Sequence, residues 1–227
     1  MRIGIIGAMQ MEVDALQAAM SQSTSETVSG ITFVSGNIGE HGVVAAVCGI
    51  GKVFAAMCAQ TMILKYAPDA IINIGVAGTV TSGLQVLDIA VADNVCQHDM
   101  DTSPLGDPVG LISGINQIYF PTDEKLAAAI GAAAEKLGCR HITGTIASGD
   151  QFIHTTEKKN WIRDTFHAIA AEMEGASIGH VCTVNKVPFA VLRTISDGEG
   201  GSMDYATFAP KAAVQSIHVI METLKAL

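Results

Sequence analysis

The chain has 227 residues, 49% of them hydrophobic and 15% charged, and its formal net charge is −9. That length suits a single domain over 1–227 with a sizeable core, the acidic balance argues against nucleic acid as the main partner, and no apolar run reaches the ~18 residues of a membrane span. The five cysteines, at 48, 58, 96, 139 and 182, show no CxxC spacing and read as buried free thiols of a reducing, cytoplasmic compartment.

Residues 2–7 read as a strand that runs straight into Met9-Gln10-Met11-Glu12, which leaves no room for a signal peptide's cleavage region. A helical pattern covers 10–20. Residues 31–36 and 42–48 form a hairpin pair around Gly39–Gly42, and a helix follows over 51–66. Strands are expected at 70–76 and 88–96. Thr122-Asp123-Glu124 opens a helix over 122–137. Strands at 141–148, 167–173 and 188–196 then alternate with helices at 174–186 and 207–225. Several strands are apolar throughout, as strands covered on both faces must be. The order implies an α/β fold, a mixed sheet with helices on both faces. Ligands in such folds bind beyond the carboxyl ends of the strands.

Two phosphate motifs fail on inspection. Gly49-Ile50-Gly51-Lys52-Val53 has Ala46 where a P-loop needs its first glycine and Val53 where it needs a hydroxyl, and Phe54 fills the third glycine position of a dinucleotide fingerprint. A tight strand-to-helix turn is the better reading. Ser148-Gly149-Asp150 lacks the elbow of a serine hydrolase. His98-Asp99-Met100-Asp101 puts one imidazole and two carboxylates on a short stretch, which suits a loop or subunit contact better than a metal. No metal and no cofactor are expected.

Three acids stand where strands stop: Glu12 after 2–7, Glu174 after 167–173, and Asp197 after 188–196. Taken singly, capping a helix explains Glu174 better than a site does and Asp197 equally well. Together, three acids at one sheet edge point to a site, because burying an unpaired carboxylate is costly. Two carboxyl groups flanking a bond at an anomeric carbon suit glycoside chemistry: one protonates the leaving group, the other activates water. A third can bind ribose hydroxyls.

Gly7-Ala8-Met9 followed by Glu12, Gly49-Ile50-Gly51-Lys52, Gly75-Val76-Ala77-Gly78, His98-Asp99-Met100-Asp101, Ser148-Gly149-Asp150-Gln151-Phe152-Ile153, Glu172-Met173-Glu174-Gly175-Ala176 and Arg193-Thr194-Ile195-Ser196-Asp197 resemble, in order, the methylthioadenosine/S-adenosylhomocysteine nucleosidases. The resemblance implies a three-layer, nucleoside phosphorylase-like fold, a homodimer, no nucleic-acid or membrane partner, and release of adenine from 5′-thio-substituted adenosines in methionine salvage. It implies that Asp197, assisted by Ser196, protonates adenine N7, that Glu12 is the general base on water, and that Glu174 holds the ribose hydroxyls with Met173 beneath the sugar. Phe152 would stack on adenine and the Ile153 backbone would bond its edge. Ala77 and Gly78 would line the base and ribose pocket, Met9 and Ile50 would lie near the sugar and 5′ group, and Arg193 would help position the acids. From composition alone, Met9, Ile50, Phe152 and Met173 would be ordinary core.

The chain departs from the family's pattern at three places. Val76 stands where a Ser or Thr is common, Tyr205 occupies an aromatic position near the substrate's 5′ end that is commonly Phe, and 102–108 lacks the expected aromatic. These bear on the 5′ substituent more than on the reaction. The rivals are a phosphorylase of the same fold, which would need cations for phosphate, a non-catalytic nucleoside sensor, and a sister hydrolase of another adenine nucleoside such as 5′-deoxyadenosine or aminodeoxyfutalosine.

Overall fold

The computed structural model describes residues 1–198 and 202–227. β1 (Arg2–Gly7) is followed by a 3-10 turn at Gln10–Glu12, then α1 (Asp14–Ala18), β2 (Ser21–Val28), β3 (Ile31–Ile38), β4 (His41–Val47) and α2 (Lys52–Tyr66). The middle of the chain forms β5 (Ala70–Asn73), β6 (Val76–Thr79), β7 (Ile89–Gln97), a second 3-10 turn at Ser103–Leu105, β8 (Tyr119–Pro121), α3 (Glu124–Lys136) and β9 (His141–Ser148). The last part is α4 (Thr156–Phe166), β10 (Ala168–Glu172), α5 (Gly175–Asn185), β11 (Phe189–Asp197) and α6 (Ser202–Leu224).

The strands join in the order β2-β3-β4-β1-β5-β11-β6-β10-β9-β7-β8. β1, β4, β5 and β11 run parallel, while β2-β3-β4 is an antiparallel meander. β11 also pairs antiparallel with β7, so β11, β6, β10, β9 and β7 close into a ring. The expected mixed sheet with helices on both faces is therefore present. Alternation along β1 shows why two helical layers are needed. Ile3 and Ile5 share one apolar cluster with Leu16 of α1, Ile130 of α3 and Ile217 of α6, whereas Ile6 shares another with Cys58 and Met62 of α2 and Ile178 of α5. Burying each such side chain contributes roughly 1.5–3 kcal/mol.

Several expectations shift. The helix predicted over 10–20 breaks at Val13 (φ −127°, ψ −16°) into the 3-10 turn and α1. The strand predicted over 70–76 is two strands bent at Ile74–Gly75. The final helix begins at Ser202 rather than 207. β2, β8 and α4 were not legible. β2 is the polar, exposed run Ser21–Val28, held by its ladder to β3; it has no alternation for a periodicity argument to find. α4 buries only Ile162 and Phe166. Four cysteines are buried, as expected, but Cys139 is only half-buried. Among the described residues no helix is long and apolar enough to cross a membrane.

Candidate active site

The chain leaves β1 at Gly7, and the 3-10 turn folds Glu12 back over the strand end, where it is 2% exposed. Its Oε2 accepts the N–H groups of Ala8 (2.8 Å) and Met9 (2.9 Å), and its Oε1 accepts that of Val76 (3.0 Å). The Val76 N–H meets Glu12 where the chain bends between β5 and β6. Gly75 makes the bend, with φ at +153°, and a Cβ there would sit 2.5 Å from Glu12 Oε1. Only glycine fits. Burial pushes the Glu12 carboxyl up, while the Arg193 charge and the three N–H donors oppose it.

β10 ends on Glu172, a residue with no role among the expectations. Arg193 forms an ion pair with it, the Ser148 hydroxyl donates to it, and the N–H groups of Glu174 and Gly175 donate to it as well. Burial works against this charge, but Arg193, Ser148 and Gly175 hold the carboxyl below the usual range. Glu172 thus caps α5. That removes capping as the explanation of Glu174, whose own side chain makes no cap bond. Glu174 instead turns to the β4–α2 turn and accepts the Gly51 N–H at 2.8 Å. Burial, followed by the neighbouring Glu172 charge, pushes its carboxyl up to about 8.

Asp197 closes β11 and is 2% exposed. The Ser196 hydroxyl donates to its Oδ1 at 2.9 Å. Its Oδ2 lies so near Gly78 that a Cβ there would approach to 2.7 Å. Burial pushes this carboxyl up and the Ser196 bond only partly offsets it, so Asp197 holds a proton more readily than an ordinary aspartate.

The three acids face one cavity of about 350 Å³, within the range of small-molecule sites. Met9, Ile50, Ala77, Gly78, Ile153 and Ser196 line it, as do Phe152, Met173 and Tyr205. The Tyr205 hydroxyl donates to Met9 Sδ at 3.3 Å, and the Tyr205 and Phe152 rings meet edge to face at 5.5 Å. Ile50 and Phe152 are not core: they are 55% and 44% exposed. Val76 also lines the cavity, beside Glu12.

Arg193, expected among the binding residues as one that helps position the acids, stands apart from the others. It does not line the cavity. It is 1% exposed and lies behind the wall, spending its guanidinium on Glu172, Asn73 Oδ1 and the Leu192 carbonyl. Its side chain sits in a near-continuous apolar strand, so burial demands that these hydrogen bonds be made inside the protein. Glu172 could have been found from sequence by asking what neutralises that arginine. Ser148, quoted above only as part of a motif, and Asn73 complete the network.

The segment from His98 to Asp101 does not converge on a common point. His98 is buried against Gly149, Asp99 pairs with Lys52 at 2.6 Å, and Asp101 accepts the Ser103 N–H. Among the described residues no group of three His, Cys, Asp or Glu side chains is placed to hold a metal.

Comparison with known proteins agrees with this geometry. The family described as "Phosphorylase superfamily" matches residues 2–225. The chain is 38% identical, over all of both chains, to the 5′-methylthioadenosine/S-adenosylhomocysteine nucleosidase of Shewanella piezotolerans. Its fold superposes with a TM-score of 0.95 on the Neisseria meningitidis nucleosidase of that name in complex with methylthio-immucillin-A, at 31% identity and covering 100% and 99% of the two chains. It superposes at 0.94 on the futalosine hydrolase of Helicobacter pylori, at 34% identity and covering 100% and 98%.

Proposed function

Since the chain belongs to the phosphorylase superfamily, and within it to the methylthioadenosine/S-adenosylhomocysteine nucleosidases, we propose that it hydrolyses the N-glycosidic bond of 5′-thio-substituted adenosines, methylthioadenosine and S-adenosylhomocysteine, to adenine and the thioribose. The observation that carries water rather than phosphate as the nucleophile is the charge of the cavity. Among the described residues its lining includes Glu12, Glu172, Glu174 and Asp197 and no lysine, arginine or histidine. Arg193 is committed to Glu172 behind the wall, and Lys52 to Asp99. Lys159, which acts on Asp197 from outside the lining, donates to the Gly198 carbonyl, so a phosphate dianion would meet carboxylates with no cation among the described lining residues to receive it.

In this reading the adenine ring lies between Phe152 and the Asp197 end, with the Ile153 backbone at its edge. Asp197 donates its proton to N7, because adenine leaves poorly as an anion. Ser196 keeps the carboxyl oriented. As the C–N bond lengthens, positive charge grows on the sugar, and Glu174 on the ribose hydroxyls stabilises it. Glu12, fixed on both oxygens by backbone donors, takes the proton of the attacking water. Such acid–base help contributes ~10²–10⁴-fold. Arg193 and Glu172 act as supports, setting the direction of Glu174 through its own N–H.

The same reading makes the protein a homodimer. Ile50, which lines the cavity, and Val53, Phe54 and Met57 of α2 stand exposed, and Leu105 of the 98–118 segment is 84% exposed. A second copy covering them would shield apolar surface and close the site. A sedimentation mass of one chain at micromolar concentration would count against it. The free thiols support a reducing, cytoplasmic setting for this reading, in which adenine release from methylthioadenosine would serve methionine salvage. Val76 and Tyr205, two of the departures from the family's pattern, line the cavity and bear on the 5′ preference. Adenine release measured in parallel on methylthioadenosine, S-adenosylhomocysteine, 5′-deoxyadenosine and aminodeoxyfutalosine, with and without phosphate, tests the assignment. Preference for a substrate without sulfur, or a requirement for phosphate, would overturn it.

A further inference from the structure

The turn that opens α2 is tied to three other segments. Gly51 has φ at +99°, and a Cβ there would meet Asp150 Oδ1 at 2.9 Å. The Lys52 N–H donates to that same oxygen at 2.8 Å. The Lys52 ammonium donates to Asp99 Oδ1 (2.6 Å) and to Gln97 Oε1 (3.1 Å). Asp99 uses its other oxygen to accept the Asp150 N–H at 2.9 Å. The Lys52 carbonyl accepts the Ser177 hydroxyl at 2.7 Å. Lys52 and Asp99 are 19% and 16% exposed at the side chain, so the pair is largely shielded from water. Burial opposes the Asp99 charge, yet Lys52 and the Asp150 N–H hold its carboxyl below the usual range.

This arrangement has consequences on both walls of the cavity. The N–H next to Lys52, that of Gly51, is the one on Glu174. Asp150, two residues before Phe152, opens the loop that carries Phe152 and Ile153. We infer that Lys52 is a positioning residue for the hydrolysis proposed above, on which this inference rests: through Asp99 it locks the Gly51 N–H onto Glu174 and sets the Phe152 loop in the same register, so that the ribose and base walls are placed together. Its ammonium touches neither wall and acts through backbone.

A hydrogen bond to the ionised form lowers a carboxyl pKa, and losing the donor raises it. The other groups that bear on Glu174 are Glu172 on β10, Arg193 on β11, Glu12 on the 3-10 turn, Cys48 after β4 and Tyr205 on α6. None of them is changed by replacing Lys52. A movement of the Glu174 ionisation in a Lys52 variant therefore reports the Gly51 donor.

The test is adenine release from methylthioadenosine by the full chain across the pH range around 8, for wild type, Lys52→Met, Lys52→Arg and Asp99→Asn. Glu174→Gln identifies which limb of the kcat/KM profile belongs to Glu174. Lys52→Met and Asp99→Asn should each raise KM about tenfold while kcat changes less than about threefold, and should move the Glu174 limb up by about half a pH unit or more. Lys52→Arg should recover most of both effects. If Lys52→Met does not fold, Asp99→Asn decides by the same readouts. Unchanged KM and limb position, or a fall in kcat alone, would overturn the inference while leaving the proposed activity standing. A wild-type chain that releases no adenine overturns both.

Discussion

Glu12→Gln preserves shape and removes charge, and the geometry around Glu12 sets what that costs. One carboxylate oxygen accepts two backbone N–H groups and the other accepts a third. A glutamine can put its carbonyl oxygen where Ala8 and Met9 donate, but its amide N–H groups then face the Val76 N–H. One buried donor is left without an acceptor, which costs about 1–3 kcal/mol. For a chain of this size that lowers Tm by about 2–12 °C. The catalytic loss is separate and larger. Without a base on the attacking water, kcat should fall about 10²–10⁴-fold. Affinity should stay within about threefold, because Glu12 meets the water rather than the adenine or the ribose. Burst-free steady-state adenine release, paired with direct titration of a non-hydrolysable 5′-thioadenosine analogue, separates the two effects. A kcat within about tenfold of wild type, or binding that vanishes with turnover, would refute the assignment of Glu12 as base.

Asp197→Asn cannot donate a carboxylic proton, and adenine release should drop by at least about 10²-fold; near-normal turnover removes Asp197 from its role. Glu174→Ala should lose both kcat and affinity, since charge-assisted bonds to ribose hydroxyls contribute about 1.5–3 kcal/mol each. A 2′-deoxy substrate should reproduce part of that defect in wild type and be nearly indifferent to the mutation; full sensitivity would place Glu174 elsewhere. Glu174 also makes stability depend on pH. Its folded carboxyl lies at about 8 against an ordinary value of 4.5, so its share of stability is complete below the ordinary value and is lost as pH rises through 8. Glu174→Gln has no such loss, and melting curves should show its Tm gaining on wild type between those pH values; a constant difference would contradict the raised value. Glu172→Gln leaves Arg193 buried without its main counter-charge and should destabilise by about 3–5 kcal/mol, read by urea unfolding; a midpoint equal to wild type would show that the pair supports nothing.

The regular core was legible because burial on both faces writes itself into sequence. β1, β9 and β11, with helices α2, α3 and α5, lie within two residues of their predicted limits. What escaped was held by other forces. β2 depends on ladder hydrogen bonds rather than apolar burial. The break between β5 and β6 depends on Gly75, whose positive φ and close approach to Glu12 are tertiary facts. The three acids at strand ends were found by the cost of burying charge, and the cavity brings them together. Arg193, expected to help position the acids, lies behind the cavity wall, where its buried charge is paired with Glu172. Glu172, so paired, caps α5, which takes the capping role away from the Glu174 side chain.

Nucleophile identity is the most direct test of hydrolysis. Methylthioadenosine is incubated with the enzyme in isotopically labelled water, with and without phosphate, and the sugar product is weighed by mass spectrometry. Attack by water under Glu12 predicts heavy oxygen on the anomeric carbon of the released thioribose, at the same rate in both buffers. A sugar 1-phosphate, or adenine release that starts only when phosphate is added, would contradict it.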